Sequence, residues 1–414
     1  MTTTKNNEHK KLNVPNSTDK GNVIRNVPNL RFPEFEEEWK ICKLGDYGKV
    51  VTGNTPPTKD VENYENGKYL WASPADLGTI KAITETKTKL SAKGFSKTRI
   101  LPKGSVLVTC IGSTIGKTGM ATKEMSTNQQ INSIVVNGNN DNEFVYYAIQ
   151  SAFPRYLSSI AVQAVPIISK SAFELLPNKR PCLQEQKKIG KIFSLLDERI
   201  ATQNKIIDGL QSLMRGINQN VFTDDGFSYK LKEICEIRSG YSGNQLTSKN
   251  GLKVSRIETI SGHKVNIERV GYVAPFDSSE NYRLQIGDIL FSNINSVEYI
   301  GNTAFIEKEY DLYHGMNLLR LMPKENIVIP FYLYLLLNTK KMQNHFKTIC
   351  NKAVSQASIN QTELGKTIIK IPNIKTQKQR CELFQALYDK LETENNAMSL
   401  LQKQKQYLLR QMFI

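Results

Sequence analysis

The chain repeats itself, and this constrains its fold more than any local signal does. Residues 181–222 align with 372–413 without a gap. Pro181 falls on Pro372, Gln186 on Gln377, Phe193 on Phe384, Leu196 on Leu387, Leu210 on Leu401 and Phe222 on Phe413, a shift of 191 residues. Near the start of each copy, Lys43-Leu44 matches Lys230-Leu231 at a shift of 187. Between these ends the match is looser. Leu101–Leu107 lies under Leu284–Leu290, Gly116-Lys117-Thr118 under Gly301-Asn302-Thr303, Asn132 under Asn317, and Phe144–Tyr147 under Phe331–Tyr334, a short helix expected in each copy. A duplicated globular unit followed by a duplicated helix is the pattern of a molecule that grips a target at two places.

The length of 414 residues accommodates two copies of about 190 residues, each with its own core. Expected segments are a disordered tail over 1–28, globular domains over 29–181 and 224–372, and helical segments over 182–223 and 373–414. Short β-branched runs such as Leu107–Thr109 and Asn132–Val136, broken by Gly, Asn and Pro, predict strands in the globular parts.

The helices follow from periodicity. In the first, Phe193, Leu196, Ile200, Gln203, Ile207, Leu210, Met214, Ile217 and Val221 alternate spacings of three and four. The second gives Phe384, Leu387, Leu391, Glu394, Met398, Leu401, Lys405, Leu408 and Met412. Such alternation predicts a narrow helix–helix seam, a coiled coil, in preference to two broad amphipathic faces packed separately. Gln203, Glu394 and Lys405 are polar within that seam and cost stability, a cost that buried polar seam residues repay by fixing register. A two-fold axis perpendicular to the seam would require the helices to run antiparallel.

Charge narrows the function. Fifty-five basic against 39 acidic side chains give a net charge of +16, which favours a polyanionic partner, above all nucleic acid, over a merely solvated basic surface. Six scattered cysteines without CxxC spacing argue against structural zinc and for reduced thiols in the cytoplasm. The most apolar run, Phe331–Leu337, is too short to span a membrane.

Three strings imitate catalytic motifs. Gly112–Thr118 resembles the tail of a phosphate-binding loop but has three residues between its glycines where four are needed, so a turn is expected. Asn54-Thr55-Pro56-Pro57 has the wrong order for the Asn-Pro-Pro-aromatic motif of amino-methyltransferases, and Thr58 stands where the aromatic should be. His9, His263, His314 and His345 have no arrangement with Ser, Cys or carboxylates that suggests a nucleophile or a metal site. No catalytic residue, cofactor or metal is expected in this chain.

What remains is recognition. Thr52, Asn54, Lys97, Arg99, Lys117, Asn128, Gln129 and Gln130 fall on expected loops of the first copy. Arg238, Tyr241, Arg256, Asn293, Asn295, His314 and Asn317 do so in the second. Arg, Lys, Asn and Gln pair with purine edges, while Lys, Ser and Thr hold phosphates.

The strings Lys43–Pro56, Gly112–Gly119, Asn128–Val136 and Pro181–Ile200, in this order and in tandem duplication, resemble the DNA specificity subunit of type I restriction–modification enzymes. The likeness runs from Val27 to Ile414, with departures at Thr376 (Glu185 in the first copy) and Asn302 (Lys117). It implies an α+β fold: two tandem mixed α/β target recognition domains related by a pseudo-two-fold axis and joined by two long helices in an antiparallel coiled coil. Double-stranded DNA would be read in two unlike halves. Two modification subunits would methylate adenine N6 with S-adenosylmethionine, and two restriction subunits would cleave with ATP and Mg2+. A non-catalytic scaffold for protein partners, its DNA affinity incidental, is the competing expectation and predicts a flat salt response.

Overall fold

The computed structural model describes residues 26–78, 80–159, 166–222, 225–352 and 356–414. The tail expected over 1–28 lies outside the described residues up to position 25. At Asn26 the chain is already tied down, its carbonyl accepting the Trp39 N–H at 2.8 Å. Two units result, one ending at Ala201 and completed by Ser399–Ile414, the other spanning Thr202–Met398.

In the first unit, β1 (Lys40–Lys43), β2 (Gly48–Thr52), β3 (Ala82–Ile83), β4 (Val106–Thr109), β5 (Thr118–Ala121) and β6 (Ile131–Val136) lead to the helix α1 (Asn142–Ser159) and to β7 (Pro177–Arg180). The main sheet has the order β2-β6-β4-β5-β3 and is antiparallel except for the β3–β5 pair. Its centre, β4, reads Val-Leu-Val-Thr and is buried at every position, as a strand covered on both faces must be. Thr52 stands opposite Asn132, Thr109 opposite Ile131 and Val108 opposite Thr118. The end of β2, the start of β6, the end of β4 and the start of β5 therefore share one edge of the sheet, and their loops form a single lip. The string resembling a phosphate-binding loop is the β4–β5 turn of this lip, with Gly112 and Gly116 at positive φ.

The helix α2 (Leu183–Val221) begins in the first unit and ends in the second. After it come β8 (Phe227–Lys230), β9 (Cys235–Ser239), β10 (Ile289–Ser292), β11 (Thr303–Phe305), β12 (Leu318–Pro323), α3 (Pro330–Leu337), α4 (Lys340–Ile349), β13 (Ile368–Ile371) and α5 (Ile374–Met412). The sheet order β9-β12-β10-β11 repeats β2-β6-β4-β5. Ser239 faces Leu319, as Thr52 faces Asn132. This pairing corrects one alignment: Leu319, not Asn317, is the counterpart of Asn132, and Asn317 sits where Gln130 does. The strand ladder, which carries hydrogen bonds, outranks a chance identity in a loop.

Both long helices start with the same device. Gln186 donates to the Pro181 carbonyl at 3.1 Å and accepts from the Asp141 N–H at 3.0 Å, and Gln377 donates to the Pro372 carbonyl at 2.9 Å and accepts from the Ile329 N–H at 2.8 Å. Each amide satisfies buried backbone groups that would otherwise be orphaned, and so fastens its helix to its globular unit. Two-stranded ribbons, β1–β7 and β8–β13, lie at corresponding places in the two units.

Every seam position named from the periodicity is buried or half-buried, including Leu196, Ile200, Ile207, Leu210, Met214, Ile217, Leu387, Leu391, Met398, Leu401 and Leu408. In the first unit Phe193 lies 5.6 Å from Phe413, and in the second Phe222 lies 5.7 Å from Phe384. The helices thus run antiparallel within each unit. Their polar members are satisfied: Lys405 reaches Asp197 at 2.6 Å, and Gln203 donates to both the carbonyl and the carboxylate of Glu394.

Candidate nucleic-acid interface

The lip of the first unit is tied together by its own polar groups. Asn54 spends both ends of its side chain, donating to the Lys97 carbonyl and accepting from the Arg99 N–H, each at 2.9 Å. Arg99 donates to the Thr52 carbonyl at 2.6 Å, and the Thr52 hydroxyl donates to Asn132 at 2.7 Å. The hydroxyl of Thr55 donates to Gln129, and Asn128 closes a small ring with Gln130 at 3.0 and 3.1 Å. The structure thus brings together seven of the eight residues named from the sequence, with Lys117 following on the adjacent β4–β5 turn.

These residues differ in what they can still do. Asn54 is committed to holding the 97–99 segment. Lys97 is paired with Asp60 at 2.9 Å and with Asn63 at 2.8 Å, and its ammonium holds the Asp60 carboxyl below the usual carboxylate range. Exposed pairs of this kind are weak, so Lys97 can exchange its partner for a phosphate at small cost. Lys117 is exposed and has no ion pair among the described residues. Gln129 is exposed, whereas Gln130 is half-buried with its carbonyl turned to Asn128.

At the corresponding edge of the second unit the residues are looser. Arg238 pairs with Glu236 at 2.6 Å and Arg256 with Glu258 at 3.6 Å, all four substantially exposed. Arg256 and Asn317 line a cavity of about 260 Å³ with Met316, the neighbour of Asn317, and with Gln245, which sequence reasoning missed. Periodicity carried no signal for Gln245, because it lies on no strand or helix. Tyr241 stacks on Phe276 with ring centroids 3.9 Å apart and planes 8° apart, which fixes its ring as a wall of the lip. Asn295 donates to the Ser292 hydroxyl at 3.1 Å, and Asn293 reaches the Ile359 carbonyl at 3.4 Å.

His314 departs from the sequence expectation. It is 1% exposed, and its Nε2 lies 3.0 Å from the Leu318 carbonyl, so it holds the turn from within. Burial lowers its pKa to about 4, which keeps the ring neutral at physiological pH. A loop position in the sequence did not reveal that the side chain turns inward.

Corresponding edges of one duplicated scaffold thus carry most of the polar side chains named from the sequence. Comparison with known proteins gives the chain a family. The model of the type I restriction modification DNA specificity domain matches residues 36–212 and again 225–402. The chain belongs to this family.

Within the family, a Methanocaldococcus jannaschii protein assigned as the MjaX specificity subunit of a type I restriction enzyme is 43% identical over 188 residues. That match covers 44% of this chain and 44% of the relative. The MjaVIII specificity subunit of the same organism is 25% identical over 420 residues, covering 93% of this chain and 94% of that protein. The crystal structure of a type I restriction–modification system S subunit from M. genitalium shares the fold, with a TM-score of 0.58 at 17% identity over 94% of this chain and 99% of that one. This specificity-domain chain has no described helix long and apolar enough to cross a membrane. Among its described residues no cluster of His, Cys, Asp or Glu could hold a metal ion.

Proposed function

We propose that this chain is the DNA-reading subunit of a type I restriction–modification complex and recognises an asymmetric, two-part target. Each unit reads one half through its lip, and the paired helices set the distance between the halves. The chain itself carries no chemistry. Two modification subunits methylate adenine N6 with S-adenosylmethionine where the chain directs them, and two restriction subunits cleave DNA with ATP and Mg2+. The observation that carries this reading is the contrast between a repeated strand order and unrepeated lips: the part that a fold requires is duplicated, while the part that would meet bases is not.

Base edges are read by paired hydrogen bonds from Arg, Asn and Gln, and phosphates give salt-sensitive affinity. On this reading Arg99, Lys117 and Gln129 act in the first unit, and Arg238, Arg256 and Asn317 in the second. Asn54, Asn128, Gln130, Tyr241, Asn293, Asn295 and His314 shape the lips, and Thr52 and Lys97 anchor them. The test is methylome sequencing of a host that carries the chain and its modification subunit, followed by exchange of residues 29–181 for those of another family member. Methylation at a two-part sequence in which the exchange alters one half alone is expected. An unchanged sequence, or one changed in both halves, overturns the reading.

A further inference from the structure

The two units differ at one helix that neither the strand order nor the lips account for. In the first unit Phe153 of α1 packs under the β4–β5 turn, its ring 2.6 Å from where a Cβ on Gly116 would stand. In the second, Phe346 of α4 packs the same way under Gly301. The two helical segments are therefore equivalents, and each lies beside the lip of its unit. Gln343 reinforces the placement of α4 by donating to the Gly301 carbonyl at 3.0 Å. The segment that follows α4 pairs, through Ala357–Ser358, with Ile294–Asn295 of the lip itself.

Their outer faces are opposites. α4 buries Met342 and Phe346 and turns Lys340, Lys341, Asn344 and Thr348 outward, with Lys347 half-exposed beside them. Lys352 follows on the adjoining strand, also exposed. From residue 326 to residue 362 the sequence contains no Asp or Glu. Lys340, Lys347 and Lys352 take part in none of the described ion pairs. In the first unit the equivalent face is covered in part by the chain itself: Tyr147 and Ala148, in the places of Lys340 and Lys341, are buried, while Pro154 and Arg155 remain exposed. Ser151 donates to the Leu409 carbonyl at 3.4 Å and Arg155 to the Ile414 carbonyl at 2.7 Å, while Pro154 stands where α4 has Lys347.

We propose that the outer face of α4 is a phosphate-binding surface for duplex DNA, gripping the backbone beside the half-site that the second unit reads and having no equivalent in the first. The inference rests on the DNA-reading function proposed above. The ammonium groups of Lys340, Lys347 and Lys352, which no described carboxylate engages, together with the outward amide and hydroxyl of Asn344 and Thr348, suit phosphate oxygens. They cannot distinguish base pairs, because phosphates carry no direct sequence information. The second unit would then hold its half of the DNA more by charge, and the first more by its preformed lip.

The test is salt-dependent binding of the full chain to mixed-sequence duplexes and to the sequence that the methylome gives. In the K340A/K347A/K352A variant two changes lie on the outer face of α4, where alanine is a strong helix former, and the third lies at an exposed strand position, so the unit stays folded. Losing three phosphate contacts lowers the slope of log affinity against log salt by about 2.7, so a fourfold rise in salt weakens binding about fortyfold less than in the natural protein. Both kinds of duplex are affected alike, and the recognised sequence is unchanged. A control variant, K103A/K123A, removes exposed lysines from the far edge of the first sheet and leaves the slope as it was. An unchanged slope in the triple variant, an altered recognition sequence, or an equal loss in the control overturns the proposal. A flat salt response of the natural protein would instead defeat the DNA-reading function, and this inference with it.

Discussion

The two units solve one folding problem twice, and the second solution places charge where the first does not. Leu107 pairs with Ser133 in the first sheet as Leu290 pairs with Arg320 in the second, so Ser133 and Arg320 occupy one position of the scaffold. Ser133 is fully buried and its hydroxyl has no partner among the described residues. Arg320 is also buried, and its guanidinium meets Asp288 at 2.7 Å, with side-chain exposures of 5% and 6%. A scaffold can therefore be copied while its interior chemistry drifts, provided that a buried charge finds its counter-charge within its own copy; a lone buried hydroxyl such as that of Ser133 is tolerated at smaller cost.

The largest expected effect breaks this match. Burial raises the Asp288 carboxyl above its usual range in spite of the Arg320 guanidinium beside it, so desolvation outweighs attraction at this pair. Arg320→Met leaves that carboxyl buried and uncompensated, at a cost of about 3–5 kcal/mol. Replacing both partners, Asp288→Leu with Arg320→Met, restores most of the stability. Urea unfolding separates the units, because both tryptophans, Trp39 and Trp71, belong to the first. Circular dichroism of the single variant should show early loss of structure while tryptophan fluorescence holds. Simultaneous transitions would mean that α2 and α5 couple the units into one cooperative body.

Histidine gives a second, smaller contrast. Three of the four histidines lie in the second unit, and the other, His9, is outside the described residues. The folded pKa of His314 is depressed, from 6.5 to about 4, so the unfolded chain binds the proton more readily. Its contribution is complete above pH 6.5 and is lost as the pH falls from there towards 4, amounting to roughly 3 kcal/mol at most. His345, lowered by the same cause, acts in the same direction. The second unit should thus weaken with acid through this window ahead of the first. His314→Gln, which cannot take up the proton, should flatten the decline, and a decline unchanged in that variant would remove His314 as its cause.

How much of this was legible beforehand depended on the kind of signal. The helices were, because a period of three and four is imposed by the seam itself: every position named is buried or half-buried, and even Gln203 and Glu394, recognised as polar exceptions, meet each other. The strands were too, where β-branched runs such as Asn132–Val136 are interrupted by turn residues. The lips were legible as places but not as roles. Residue type marked Asn54, Tyr241 and His314 as readers, yet tertiary contacts turn the first to backbone, the second to a ring and the third into the core. The basic face of α4 escaped notice because attention to loops passes over a helix, and because its counterpart in the first copy carries no such charge.

The smallest of these effects is also the most local. Gly53 and Gly240 occupy the same place, just past the ends of β2 and β9. At Gly53 a Cβ would stand 2.2 Å from the Asn128 carbonyl oxygen, and at Gly240 it would stand 1.8 Å from that of Gly315. Each lip is thus closed by backbone lying directly against backbone, where a side chain cannot fit and neither neighbour is a flexible side chain able to move aside. Gly53→Ala should push the 127–130 turn away and cost the first half-site about 1–3 kcal/mol of discrimination, the scale of one well-formed base contact. Gly240→Ala should do the same to the second half alone. If the lips read DNA independently, methylation in each variant becomes degenerate in one half and stays strict in the other. Degeneracy in both halves from a single substitution would show that the lips share the work, and the comparison between the units would then have to be drawn elsewhere.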